Sequence, residues 1–182
     1  EYSGAADFSE IPIELAFAAH DQPVATSVEL PDRIAAGLSY DLGVGRVSAD
    51  VEYFGWSSFE TFGIDFEDPN TPDVDEPRNW ENTVAVRAGY EHRDFTVPLK
   101  LRAGFAWDPT PSPDNTLSPT LPDANRVALS LGASWDFTEN ISADIAFTQV
   151  ILLEKSSEGE EVFPGTYSGF AEILSLGTRM TF

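Results

Sequence analysis

Val127-Ala128-Leu129-Ser130-Leu131-Gly132-Ala133-Ser134-Trp135-Asp136-Phe137 decides the fold. Val127, Leu129, Leu131, Ala133, Trp135 and Phe137 fall at every second position. Ala128, Ser130, Gly132, Ser134 and Asp136 fall between them. A strand sends successive side chains to opposite faces, so this segment reads as a strand with one large apolar face and one small polar face. A helix would bring the apolar residues back at three and four, and they do not recur there.

The same alternation runs upstream. Val97, Leu99, Leu101, Ala103, Phe105 and Trp107 alternate with Lys100, Arg102, Gly104 and Ala106. Val84, Val86, Ala88 and Tyr90 alternate with Ala85, Arg87 and Gly89. About eight strands are predicted along the chain: Tyr2–Phe8, Arg33–Tyr40, Arg46–Phe59, Thr83–Glu91, Val97–Trp107, Arg126–Phe137, Ile141–Leu152 and Thr166–Phe182. Their connections alternate in length. Asp41–Gly45, His92–Thr96 and Thr138–Asn140 are short; Ser9–Asp32, Glu60–Asn82, Asp108–Asn125 and Leu153–Gly165 are long. Short turns at one end and long loops at the other are the mark of an antiparallel transmembrane β-barrel, with the short turns periplasmic.

Face composition points the same way. Ser39, Gly37, Ser48, Gly89, Gly104, Ser130, Gly132, Ser134, Ser142, Ser175 and Gly177 share the face opposite the large apolar residues. A soluble barrel fills its interior with large apolar side chains. Here those residues are on the other face, which fits lipid outside and a polar lumen within. Tyr40, Trp56, Trp80, Tyr90, Trp107, Trp135 and Tyr167 lie near strand ends, where amphipathic rings suit the membrane–water boundary. The alternatives are a structural or adhesive outer-membrane barrel without transport, and a soluble barrel or sandwich around an apolar ligand.

Composition narrows the functions. The 182 residues carry 31 Asp and Glu against 10 Lys and Arg, a formal net charge of −21. That charge repels nucleic acid, which is not an expected partner. Most of the acid is in the long loops: Asp65, Glu67, Asp68, Asp73, Asp75, Glu76 and Glu81 stand there against Arg78. Cysteine is absent, so there is no disulfide, thiolate nucleophile or cysteine metal site. His20 and His92 fall in loops at opposite ends of the predicted strands, and no H-E-x-x-H or G-x-S-x-G occurs. The segment Asp65–Glu76 lacks the glycine that a calcium loop needs, having Asn70 at that place. No enzymatic activity, cofactor or metal site is expected. Loose divalent binding by the acidic loops stays open.

By alternation, Asp50, Glu52, Arg87, Lys100 and Arg102 point into the lumen, with Arg87 and Arg102 at similar heights across the turn near Asp94. They form either an ion-pair network that holds the wall or a reception site for a carboxylate, which Arg can bind in bidentate fashion. Phe54 and Trp56 fall on the same register unless a bulge at Gly55 turns Trp56 towards lipid.

The order and spacing of several short stretches resemble the FadL/TodX family of outer-membrane channels for long-chain fatty acids and hydrophobic compounds. They are Leu30-Pro31 with Gly37-Leu38-Ser39-Tyr40, Tyr53-Phe54-Gly55-Trp56-Ser57-Ser58-Phe59, Trp80 with Thr83, and Arg87-Ala88-Gly89-Tyr90. Leu101-Arg102-Ala103-Gly104-Phe105-Ala106-Trp107-Asp108-Pro109 follows, then Pro111, Pro113, Pro119, Leu121-Pro122-Asp123 and Arg126. Ser130-Leu131-Gly132, Gly165-Thr166-Tyr167 and an alternating last strand ending in Phe182 complete the likeness. The resemblance implies passive uptake of hydrophobic small molecules by a monomer in the bacterial outer membrane, among lipid and lipopolysaccharide. It implies that the barrel-assembly machinery reads Phe182. It further implies a barrel of about 14 strands with an N-terminal plug. The chain supplies about eight strands and no plug-like Asn-Pro-Ala motif, so residues 1–182 read as one unit, the C-terminal part of a larger barrel. A small closed barrel of eight strands is the other geometry.

Overall fold

The computed structural model describes residues 23–117, 122–157 and 165–181. They form β1 (Val24–Ala25), β2 (Arg33–Asp41), β3 (Gly45–Phe54), β4 (Thr61–Phe66), β5 (Val74–Pro77), β6 (Thr83–His92), β7 (Leu99–Asp108), β8 (Arg126–Thr138), β9 (Ile141–Ser156) and β10 (Thr166–Met180). Seven of these make one sheet in the order β2-β3-β6-β7-β8-β9-β10, and every neighbouring pair is antiparallel. This is an up-and-down meander, interrupted once by the β4–β5 hairpin. It is all-β and antiparallel, as the alternation requires, and it is a section of wall rather than a closed cylinder.

The register aligns the apolar positions on one face. Trp107 pairs with Val86 and Val127, Phe105 with Ala88 and Leu129, and Leu131 with Phe147. These residues are not covered. Leu38 is 72% exposed, Leu131 66% and Leu176 76%. Among the described residues the fully buried apolar side chains are Phe59, Ala85, Leu117 and Ala124, and three of those four belong to the loop end. A sheet of seven strands whose broad face is bare Leu, Ile, Val and Phe far exceeds the few hundred Å² of contiguous apolar surface that a soluble monomer tolerates. Lipid is the solvent that matches it.

The short connections behave as predicted. In the first, Asp41 accepts the Gly43 N–H at 2.8 Å, and Gly43 has φ of +83°. A side chain there would be strained. Gly45 begins β3 so close to β6 that an added Cβ would stand 2.2 Å from the Glu91 carbonyl oxygen. The next short turn is tied to the first. Arg93 pairs with the Asp41 carboxylate, and its N–H donates to the Val44 carbonyl at 3.0 Å. The Arg93 guanidinium, with help from the Gly43 N–H, holds the Asp41 carboxyl below the usual carboxylate range.

Three expectations need correction. The predicted strand Arg46–Phe59 ends at Phe54, and Trp56–Ser58 is a single 3-10 turn. Gly55 interrupts the ladder by donating its N–H to the Asp32 carbonyl at 2.8 Å. The long connection Glu60–Asn82 is not structureless: β4 and β5 pair as a hairpin, and β1 adds a third strand to it. Strand β9 runs to Ser156, four residues past its predicted end. The predicted strand Tyr2–Phe8, His20 and Phe182 lie outside the described residues.

Candidate functional site

The face opposite the lipid carries seven of the ten basic residues: Arg33, Arg46, Arg87, Lys100, Arg102, Arg126 and Arg179. Asp41, Asp50, Glu52, Glu91, Asp108, Asp136 and Asp144 share that face. The wall is therefore charge-balanced inside, although the chain as a whole is strongly acidic.

The charges fall into clusters. Glu52, 1% exposed, sits between two guanidiniums. Arg33 pairs with its Oε1, and Arg87 Nη1 donates to its Oε2 at 2.6 Å and to Asp50 Oδ1 at 3.1 Å. A carboxylate this deeply buried stays ionised only with such partners. Nearer the short turns, Arg102 Nε donates to Glu91 Oε2 at 2.8 Å, and its Nη1 donates to Ser134 Oγ at 2.6 Å. The same nitrogen approaches Asp144 at 3.4 Å, and the Ser134 hydroxyl donates to that carboxylate. Lys100 Nζ donates to Asp136 Oδ2 at 2.7 Å.

Asp50, Glu52, Arg87, Lys100 and Arg102 thus share a face, and each is paired. Arg87 and Arg102 are not level, however. Arg87 stands opposite Ala106, and Arg102 opposite Glu91, four residues along β6. At about 3.4 Å per residue that separates them by roughly 13 Å. They belong to different clusters.

Above the charged wall the loop end forms a pocket of about 330 Å³, with Phe54, Trp56, Trp80, Pro109, Pro111, Pro122, Asp108, Asp123 and Arg126 around it. Phe54 is carried at the end of β3, with the Arg33 guanidinium 5.8 Å from its ring centre. Trp56 follows on the 3-10 turn. Its ring meets Trp80 edge-on at 4.9 Å, and Trp80 meets Phe59 at 5.0 Å. Trp56 and Trp80 are therefore packed against each other, not set in an aromatic girdle. Arg126 Nη2 pairs with Asp108 at 3.1 Å, and its Nη1 lies 3.8 Å from Asp123.

The loops are fastened where they surround the pocket. The Ser57 N–H donates to Asn82 Oδ1 at 2.9 Å, and the Glu81 N–H to the Pro111 carbonyl at 2.8 Å. Thr116 Oγ1 donates to the Arg78 carbonyl at 2.7 Å. Lys155 on β9 reaches Asp114 at 3.3 Å and donates to the Ser112 carbonyl. Prolines present carbon and no N–H, so an apolar solute displaces little bound water there. The pocket has the usual make-up of a small-molecule site, mostly apolar with a few polar groups.

Of the residues expected at the site, Phe54 and Trp56 line this pocket, and the five charged ones lie on the wall below it. Trp80 and Arg126 join the pocket without having been singled out for it. The signal for them is the clustering of prolines after β7, since Pro109, Pro111 and Pro122 line the same pocket.

The sequence profile of a family described as outer membrane protein transport protein (OMPP1/FadL/TodX) matches residues 2–182. A 47 kDa outer membrane protein of Pasteurella multocida (strain Pm70) is 29% identical over 157 residues, covering 85% of this chain and 32% of that protein. Outer membrane protein P1 of Haemophilus influenzae is 28% identical over 153 residues, covering 84% of this chain and 28% of that protein. The crystal structure of a Pseudomonas aeruginosa FadL homologue superposes with a TM-score of 0.72 at 22% identity, over 82% of this chain and 35% of that one. The chain spans about a third of the length of these relatives.

Proposed function

This chain belongs to the OMPP1/FadL/TodX family of outer membrane transport proteins and resides in the bacterial outer membrane; on that premise we propose that it is the C-terminal part of a passive channel for hydrophobic small molecules. The substrate class is long-chain fatty acids or aromatic hydrocarbons. The observation that carries the reading is the aromatic and proline-lined pocket at the loop end, set directly above a polar, charge-paired wall.

The physical need is clear. The lipopolysaccharide leaflet presents a dense polar and charged layer that apolar solutes cross slowly. A pocket of Phe54, Trp56 and Trp80 gives such a solute an apolar resting place at the outer end of the barrel. Below it, Asp50, Glu52, Arg87, Lys100 and Arg102 line the path. Because each of these charges already has a partner, none holds a passing solute tightly, and release needs no energy input. Phe182 serves as the signal to the barrel-assembly machinery.

Uptake by the full-length protein in proteoliposomes tests this. Labelled fatty acid or aromatic hydrocarbon enters faster than in protein-free vesicles, and Trp56→Ala with Trp80→Ala slows entry several-fold. Equal rates with and without protein would leave a structural barrel as the better account.

A further inference from the structure

At the loop end every cation among the described residues already has a carboxylate. Arg33 pairs with Glu52, Arg78 with Glu76, Lys155 with Asp114, and Arg126 with both Asp108 and Asp123. Asp108, Asp123 and Arg126 border the pocket that Phe54, Trp56 and Trp80 line, so the acids there outnumber the cation. Thr110 fixes Asp123 in place by donating its hydroxyl to Oδ2 at 2.7 Å. Asp32, whose carbonyl accepts the Gly55 N–H, brings a further carboxylate to the end of β3.

The inner wall next to Arg126 offers no open cation either. Ala128 follows Arg126 on the same face of β8, and it pairs with Ala106 on β7 and Val150 on β9. Arg87 stands opposite Ala106, but Asp50 and Glu52 already hold it. A carboxylate entering the pocket would therefore meet apolar rings, two aspartates and no free guanidinium among the described residues. Like charges repel more strongly in a cleft with low-dielectric walls than across open, salt-screened water. An uncharged solute meets no such repulsion and keeps the full benefit of apolar contact.

We propose that the pocket is a charge filter: it takes uncharged apolar solutes and turns away ionised carboxylates, with Asp108 and Asp123 as the specificity-determining residues. Of the two solute classes above, it fits aromatic hydrocarbons, together with long-chain compounds whose head group is neutral, such as alcohols and esters. Arg126 is held between two acids and is not a receptor for the solute's head group. The inference rests on the reading of this pocket as the solute's resting place.

Binding to the full-length protein in detergent tests this, read by quenching of tryptophan fluorescence. The probes are a brominated long-chain alcohol and the brominated fatty acid of the same length, at about pH 8 where the acid is ionised. Each is corrected for its partition into protein-free micelles. The alcohol should bind at least roughly tenfold more tightly than the acid. Asp108→Asn with Asp123→Asn frees Arg126, and the ratio of acid to alcohol affinity should then rise by about tenfold. Should that variant fail to fold, the wild-type comparison decides alone. Equal binding of the two probes by the wild type, tighter binding of the acid, or an unchanged ratio in the folded variant overturns the proposal and leaves the channel reading intact. No quenching by either probe, or quenching undiminished by Trp56→Phe with Trp80→Phe, shows that the solute does not rest in this pocket, and overturns both.

Discussion

Single residues explain why the inner wall tolerates so much charge. Glu52 is buried, yet it lies between Arg33 and Arg87. Arg87→Ala removes one of two cations and leaves Asp50 without its partner as well. Because Arg87 is itself partly exposed, the expected loss is about 1–3 kcal/mol rather than the full cost of orphaning a buried charge. Urea unfolding of the full-length protein in detergent measures it. Arg87→Ala with Glu52→Gln should recover part of the loss, since the buried charge goes too. At the short-turn end, Asp41 has its carboxyl held low by Arg93. A carboxyl lowered in the folded state adds stability above its ordinary value of about 3.9, and that stability is lost as pH falls through the lowered value. The protection of the Gly43 amide against hydrogen exchange, relative to an unstructured peptide at the same pH, should therefore fall as pH drops through the lowered Asp41 range, and Asp41→Asn should flatten that dependence. Unchanged protection in both would remove the Arg93 link from the account.

At the scale of the element, the strands and the places of the short turns were legible, whereas the register across the β6–β7 turn and the folding of the long connections were not. A strand with lipid on one side and a polar lumen on the other must alternate strictly. That constraint writes itself into Val127–Phe137 and into β6 and β7 without ambiguity. Alternation fixes the face, but it leaves the register open to any even shift. The turn between β6 and β7 is centred two residues later than Asp94, since Glu91 pairs with Arg102. Arg87 and Arg102 therefore keep their face and lose their common height. In the loops no such constraint operates. In the β4–β5 hairpin, β4 does alternate, Phe62, Ile64 and Phe66 against Thr61, Gly63 and Asp65, but it is only six residues long. Its partner Val74-Asp75-Glu76-Pro77 is short, acidic and ends in proline, so the pairing was masked by the acidic loop around it. Trp56 read as lumen or girdle because Gly55 hid the end of β3. The loop end depends instead on its own packing around Trp80. Trp80→Ala removes edge contacts to Trp56 and Phe59, so the loop should loosen by about 3 kcal/mol locally. Amide exchange should rise across residues 56–82 and stay unchanged in β7 to β9. A rise throughout the sheet would show that the loop and wall are one cooperative unit.

For the whole molecule, the charge of −21 describes the loops and not the barrel wall. The wall is balanced inside and apolar outside, and the broad bare face follows from having lipid for a solvent. The two faces should therefore respond oppositely to charge. Leu131→Arg on the outer face should destabilise the full-length protein by about 2–4 kcal/mol if it lies near the bilayer midplane, whereas Ser130→Arg on the inner face should cost far less. The most direct test returns to Val127–Phe137, with single cysteines placed at each position of the full-length protein in outer membranes. Positions 128, 130, 132, 134 and 136 should react with a small water-soluble thiol reagent. Positions 127, 129, 131, 133, 135 and 137 should resist it and should be reached by a lipid-soluble one. Reactivity that fails to alternate, or alternates in the opposite sense, would contradict a wall with lipid outside and a polar path within.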